Sequence, residues 1–186
     1  MVKDLLGGLS KDRRCSLQVI EIENTNVHSN ILPMKTPSLR SDIVIQINQL
    51  YNNKLGRLCR QVNPLPVEID ETFSPLAHPG FNDTPAFAVV EIKPGGGDLQ
   101  EAQMQAAVVG GAILLKARQI GAAADVVPCI PEIVAIGSTW YLHLIYDEPG
   151  LVVTSTPWII GDTVTLLGTL NVVLFIEQLR TQKISG

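Results

Sequence analysis

A chain of 186 residues with 46% apolar and 17% charged side chains can bury a substantial core and is too poor in charge for a disordered tail. Its net charge of −4 divides unevenly: residues 1–60 hold nine Lys/Arg against five Asp/Glu (+4), and residues 61–186 hold five against thirteen (−8). The acidic balance disfavours nucleic acid as a partner, because phosphate contacts need clustered Lys and Arg.

The first fifteen residues are polar and carry no secretory pattern. Residues 17–22 read as a first strand, and residues 24–41 as loop, with Pro33 and Pro37 blocking helix. Residues 42–47, Asp-Ile-Val-Ile-Gln-Ile, are short and β-branched and read as a strand. Residues 50–62 have a helical period in Leu55, Leu58 and Val62, with Lys54, Arg57 and Arg60 on another side, either a solvated face or a phosphate track. Five prolines make residues 63–85 a loop, with a brief extended piece at 67–73.

Residues 86–93 form the clearest strand, ended by Pro94-Gly95-Gly96-Gly97. The clearest helix follows over residues 99–120, opened by a capping box of Asp98 and Glu101. Gly110 and Gly111 weaken it by about 1 kcal/mol each relative to alanine, which implies close packing against a neighbour. Residues 132–136, 139–146 and 151–158 read as three strands, with a turn at 147–150 between the last two. A closing helix runs to Arg180, capped by Asp162 or Thr163, and Leu166, Leu167, Leu170, Val173, Leu174 and Glu177 follow its period. The order of strands, long helix, strands and helix argues for a mixed α/β layer fold.

No apolar stretch exceeds residues 106–115, too short for a bilayer, so the expectation is a soluble intracellular protein, cytoplasmic or nuclear, without a membrane partner. Cys15, Cys59 and Cys129 are odd in number and widely spaced, which suits inert thiols rather than a disulfide framework. His28, His78 and His143 lack metal-ligand spacing and read as surface or satisfied core residues. Trp140 and Trp158 read as core or rim packing. Phosphate-loop, dinucleotide-binding and nucleophile-elbow motifs are missing.

What remains is Glu91-Ile92-Lys93 at the end of a strand whose preceding residues, Phe87-Ala88-Val89-Val90, suit burial on both faces. Alternate strand residues share a face, so Glu91 and Lys93 project together. Gln103 and Gln105 lie in the second turn of the following helix, near the same sheet end.

An Asp on one strand, Glu-x-Lys on another and a Gln-bearing helix resemble the PD-(D/E)XK nuclease superfamily. More narrowly, the chain is similar to a fungal group of nuclease-like proteins. The segments that carry the likeness are Ser41-Asp42-Ile43-Val44, residues 85–93, Glu101-Ala102-Gln103-Met104-Gln105, residues 128–134, Gly137-Ser138-Thr139-Trp140 and Ile160-Gly161-Asp162-Thr163. The resemblance implies an α/β fold of restriction-endonuclease type, a mixed central sheet flanked by helices. Residues 1–24 would be an N-terminal extension containing the first strand, and residues 25–186 the nuclease-like domain.

The resemblance also implies roles. Asp42 and Glu91 would hold Mg²⁺, with Mn²⁺ as substitute, through hard carboxylate oxygens. Lys93 would position the attacking water or neutralise the transition state, and Gln105 would orient a ligand or the water. Asp42 precedes Glu91 by forty-nine residues, a longer gap than the superfamily usually shows. Asp70 and Asp83 are nearer but lie in proline-rich loops, whereas Asp42 opens a strand; all three stay open as the completing acid. The leading expectation is Mg²⁺-dependent phosphodiester hydrolysis on nucleic acid. The alternative is a repurposed scaffold that binds or converts a small molecule, such as a fungal secondary metabolite. A third reading is an interaction module or homo-oligomer, which calls for an exposed apolar patch.

Overall fold

The computed structural model describes residues 17–22, 27, 31, 42–47, 74–76, 85–149 and 151–181. Its elements are β1 (Leu17–Glu21), β2 (Ile43–Ile47), β3 (Ala86–Lys93), α1 (Leu99–Gln119), β4 (Ile130–Ile136), β5 (Thr139–Glu148), β6 (Leu151–Thr154), β7 (Trp158–Asp162) and α2 (Leu166–Thr181). The helix expected at 50–62, its basic residues, the extended piece at 67–73, Asp70, Asp83, Cys15, Cys59, His28 and His78 lie outside the described residues. No described helix is long and apolar enough to cross a membrane.

The strands form one seven-stranded mixed sheet in the order β1-β2-β3-β4-β5-β6, with β7 also paired to β5. β3 and β4 run parallel, with Glu91 opposite Val134, and the other pairs are antiparallel. Parallel neighbours cannot be joined by a tight turn, and α1 supplies the crossover.

Among the described residues, one helix covers each face of the sheet. Val44, Val89, Ile130 and Ile145 pack with Ala106, Val109, Ile113 and Leu114 of α1. Ile43, Ile45, Val90, Ile133, Ala135 and Trp140 pack with Val172, Ile176 and Leu179 of α2. Burial on both faces explains why β3 is apolar without alternation until Glu91. Gly110 meets its expected neighbour: a Cβ there would run into Cδ1 of Ile145.

Three expectations are corrected. The strand read over 151–158 is two strands, β6 and β7, both on the same edge of β5. Pro157 has no N–H to give the ladder, and the Ser155 hydroxyl takes the Leu144 N–H at 2.9 Å, so the run breaks at 155–157. The capping box is half-formed. Asp98 accepts from the Gln100 N–H at 2.8 Å, but the Glu101 carboxylate takes the Gln105 amide instead. At α2 the cap is Thr165, whose hydroxyl accepts from the Gly168 N–H, while Asp162 makes the preceding turn by accepting from the N–H groups of Val164 and Thr165.

The apolar period read for α2 marks its outward side. Leu166, Leu167, Leu170 and Leu174 are exposed, as are Trp158 and Ile159, whereas the buried face runs through Val172, Ile176 and Leu179. A helix apolar all round gives no periodic clue to which stripe is covered. Glycine decides it. Added Cβ atoms at Gly161 and Gly168 would strike the backbones of Gly168 and Asp162, so α2 meets β7 backbone to backbone on that side.

Candidate active site

Strand β3 delivers Glu91 and Lys93 to the face under α1, two strand positions apart as alternation requires. Glu91 is 2% exposed. The Lys93 ammonium lies 3.1 Å from Glu91 Oε1 and donates to Gln105 Oε1 at 2.6 Å, with Glu101 Oε1 at 3.8 Å. Gln105 Nε2 donates in turn to Glu101 Oε1 at 3.1 Å. The carboxamide thus faces its oxygen to the cation and its nitrogen to the acid, which fixes its orientation.

The chain reaches this arrangement through the loop after β3. Gly97 N–H donates to the Pro94 carbonyl at 3.0 Å, and Gly96 has φ 87°, the left-handed conformation that favours glycine. A Cβ at Gly97 would lie 2.7 Å from Cβ of Lys93, so the loop folds tightly over the lysine stem. The turn then delivers Asp98 as the cap of α1 and sets the second turn of that helix against Lys93.

Asp42 stands one step beyond the Ile43–Val90 pair, at the sheet end across from Glu91. Its Oδ2 accepts from the Ile92 N–H at 2.7 Å, and its carbonyl accepts from the Ile22 N–H at 2.9 Å. Asp42, Glu91, Lys93 and Gln105 are therefore brought together. Gln103 is not among them: it reaches His143 on β5, at 3.0 Å from Nδ1 and 3.2 Å from Nε2.

His143 is the satisfied core histidine expected, and burial pushes its pKa down while the contact with the Ser155 carbonyl opposes that. The consistent tautomer has Nδ1–H donating to Ser155 O and Nε2 accepting from Gln103.

One residue had no role assigned from the sequence beyond its place in a strand and a family segment. Glu132 on β4 pairs with Val89 on one side and His143 on the other, which places it on the Glu91 face one strand over. It is fully buried, and neither carboxylate oxygen has a hydrogen-bond partner. Burial, reinforced by the charge of Glu91, raises its pKa to about 8. The available signal was an acid in the middle of the apolar run Ile130-Pro131-Glu132-Ile133-Val134. As the side chains stand, no three His, Cys, Asp or Glu groups among the described residues converge on one point.

No curated protein and no solved structure matches the chain. The model of the PD-(D/E)XK nuclease superfamily matches residues 1–181 and does not narrow to the fungal group. With the mixed sheet between two helices and Glu91-Ile92-Lys93 at its end, this match over nearly the whole length places the chain in the PD-(D/E)XK nuclease superfamily.

Proposed function

We propose that the protein hydrolyses phosphodiester bonds of nucleic acid with a divalent cation, Mg²⁺ or Mn²⁺. The observation that carries this reading is the Lys93 ammonium pinned between Glu91 and Gln105, with Asp42 at the same sheet end. The donor set fits such an ion. Asp42 and Glu91 offer hard carboxylate oxygens, and the buried Glu132 beside Glu91 has two carboxylate oxygens without partners.

Asp42 and Glu91 would hold the cation. The chemistry it supplies when bound is acidification of water and neutralisation of charge on a phosphate oxygen. Asp42 is pre-positioned by the Ile92 N–H, so its carboxylate loses little freedom on binding. Lys93 orients the attacking water or offsets the charge that develops on the phosphate, and the Gln105 carbonyl keeps its ammonium at the mouth of the site.

The test is calorimetric titration of Mg²⁺ and Mn²⁺ into the wild type and Glu91→Ala, with DNA and RNA cleavage assayed on both. Binding and cleavage that vanish together in Glu91→Ala support the reading, and a wild type that neither binds nor cleaves overturns it.

A second reading is favoured by a specific observation. The exposed residues Trp158, Ile159, Leu166, Leu167, Leu170 and Leu174 lie along β7 and α2, and α2 covers the sheet face opposite α1 and the site. An apolar surface of this kind suits a homo-oligomer or an interaction module. Small-molecule conversion by a repurposed scaffold draws on the −8 balance of residues 61–186.

A further inference from the structure

Glu132 is a burial problem that the fold leaves unsolved. The side chain is 0% exposed, and both carboxylate oxygens are without a hydrogen bond. A buried acid with no partner costs several kcal/mol whether it stays charged or is forced neutral. The nearest polar side chains do not relieve it. His143, its direct cross-strand neighbour, contacts Ser155 O and Gln103, and Gln103 is spent on His143. The register puts Glu132 beside Val89, so Glu91 lies one diagonal step away on the same face. Lys93 pairs with Glu91 from two residues further along β3, and Glu132, level with Val89, lies on the other side of Glu91 along the strand direction. Two carboxylates facing one another across adjacent strands repel unless positive charge lies between them.

We propose that Glu132 is a further ligand of the divalent cation, holding it together with Glu91 on the inner side of the site. The inference rests on the cation-dependent reading above and adds a residue to it. Two carboxylates are enough, because Mg²⁺ commonly keeps several waters and is held by one or two protein acids. The ion supplies what the fold withholds from Glu132, a partner for its oxygens and a charge that offsets its neighbour. Glu132 is thereby distinguished from an ordinary core residue, for which an apolar side chain would serve better at this position.

The experiment is isothermal titration of Mn²⁺ into the full chain as wild type, Glu132→Gln and Glu91→Ala. Electron paramagnetic resonance of free Mn²⁺ counts the bound ion, and far-ultraviolet circular dichroism checks the fold. The expected result is a folded Glu132→Gln that binds Mn²⁺ at least tenfold more weakly than wild type. A folded Glu132→Gln with wild-type affinity, beside a Glu91→Ala that has lost the ion, overturns the role of Glu132 and leaves the cation-dependent reading standing. A wild type that binds no Mn²⁺ overturns both. Should Glu132→Gln fail to fold, Glu132→Asp keeps the charge and retracts the carboxylate by one methylene. Unchanged affinity there also overturns the proposal, and tenfold weakening supports it.

Discussion

Replacing Glu132 by Gln in the metal-free protein should change the pH dependence of stability strongly. The folded state holds the Glu132 proton to about pH 8, because burial and the Glu91 charge oppose ionisation, against an ordinary value of 4.5. Between those limits the folded state binds more protons than the unfolded one, so stability is full below pH 4.5 and is lost as pH rises toward 8. The loss is about 1.4 kcal/mol per pH unit in the middle of that window. From pH 5 to pH 8 it amounts to roughly 3–4 kcal/mol, a large part of the 5–15 kcal/mol typical of a domain. Urea unfolding in chelator at pH 5, 6.5 and 8 measures it. The difference between wild type and Glu132→Gln should move in favour of the variant by that amount across the range. Groups shared by the two proteins, Glu91 on β3 and His143 on β5 included, largely cancel in the comparison. Parallel stability profiles would refute the claim that Glu132 is buried with its proton.

Five other substitutions test separate parts of the structure. Gly168→Ala should destabilise by roughly 2–3 kcal/mol despite better helix propensity, because the new Cβ meets the Asp162 backbone, which cannot step aside as a side-chain tip can; calorimetric unfolding decides, and a gain in stability would contradict it. Arg118 donates to both Asp147 oxygens at 2.8 Å and to the Val127 carbonyl at 2.7 Å, a fork lysine cannot reproduce, so Arg118→Lys should lower Tm by about 3–6 °C. The same contact holds the Asp147 pKa below its ordinary value, so its contribution is present at neutral pH and lost in acid, and Asp147→Asn should flatten the acid limb of a thermal-melt series. Under the nuclease reading, Lys93→Met should reduce cleavage by about a thousandfold, and Gln105→Ala by about tenfold to a hundredfold, while both retain Mn²⁺ binding by calorimetry.

The parts of the fold legible in the sequence are those where local chemistry and burial agree. Residues 86–93 are apolar and β-branched and are closed by Pro94 and three glycines, and β3 occupies those residues. The Glu91–Lys93 juxtaposition followed from strand alternation alone; the helix beyond the loop put both Gln103 and Gln105 near the same sheet end, and only the family resemblance singled out Gln105. What escaped depends on contacts between distant segments. Pro157 splits a strand only because β5 offers both halves the same edge. The covered side of α2 is chosen by Gly161 and Gly168 rather than by hydrophobic period. Glu132 looked like a strand residue in a family segment, and its isolation is visible only once β3 and β5 are laid against it.

The division of the site along the chain bears on how it assembles. Glu91, Lys93, Glu101, Gln105 and Glu132 all belong to the continuous run β3-α1-β4, and the Lys93–Gln105 bond closes a span of twelve residues. Asp42 reaches Ile92 across fifty. With loop-closure entropy growing as the logarithm of length, the second closure costs about 1 kcal/mol more than the first. Glu91, Lys93, Glu101 and Gln105 can therefore gather through short-range contacts, the kind that favour fast folding, and Glu132 joins them with the β3–β4 pairing. Asp42, just before β2, arrives with the long-range antiparallel pairing. A shorter connection between β2 and β3 would reduce that search without altering a single residue of the site.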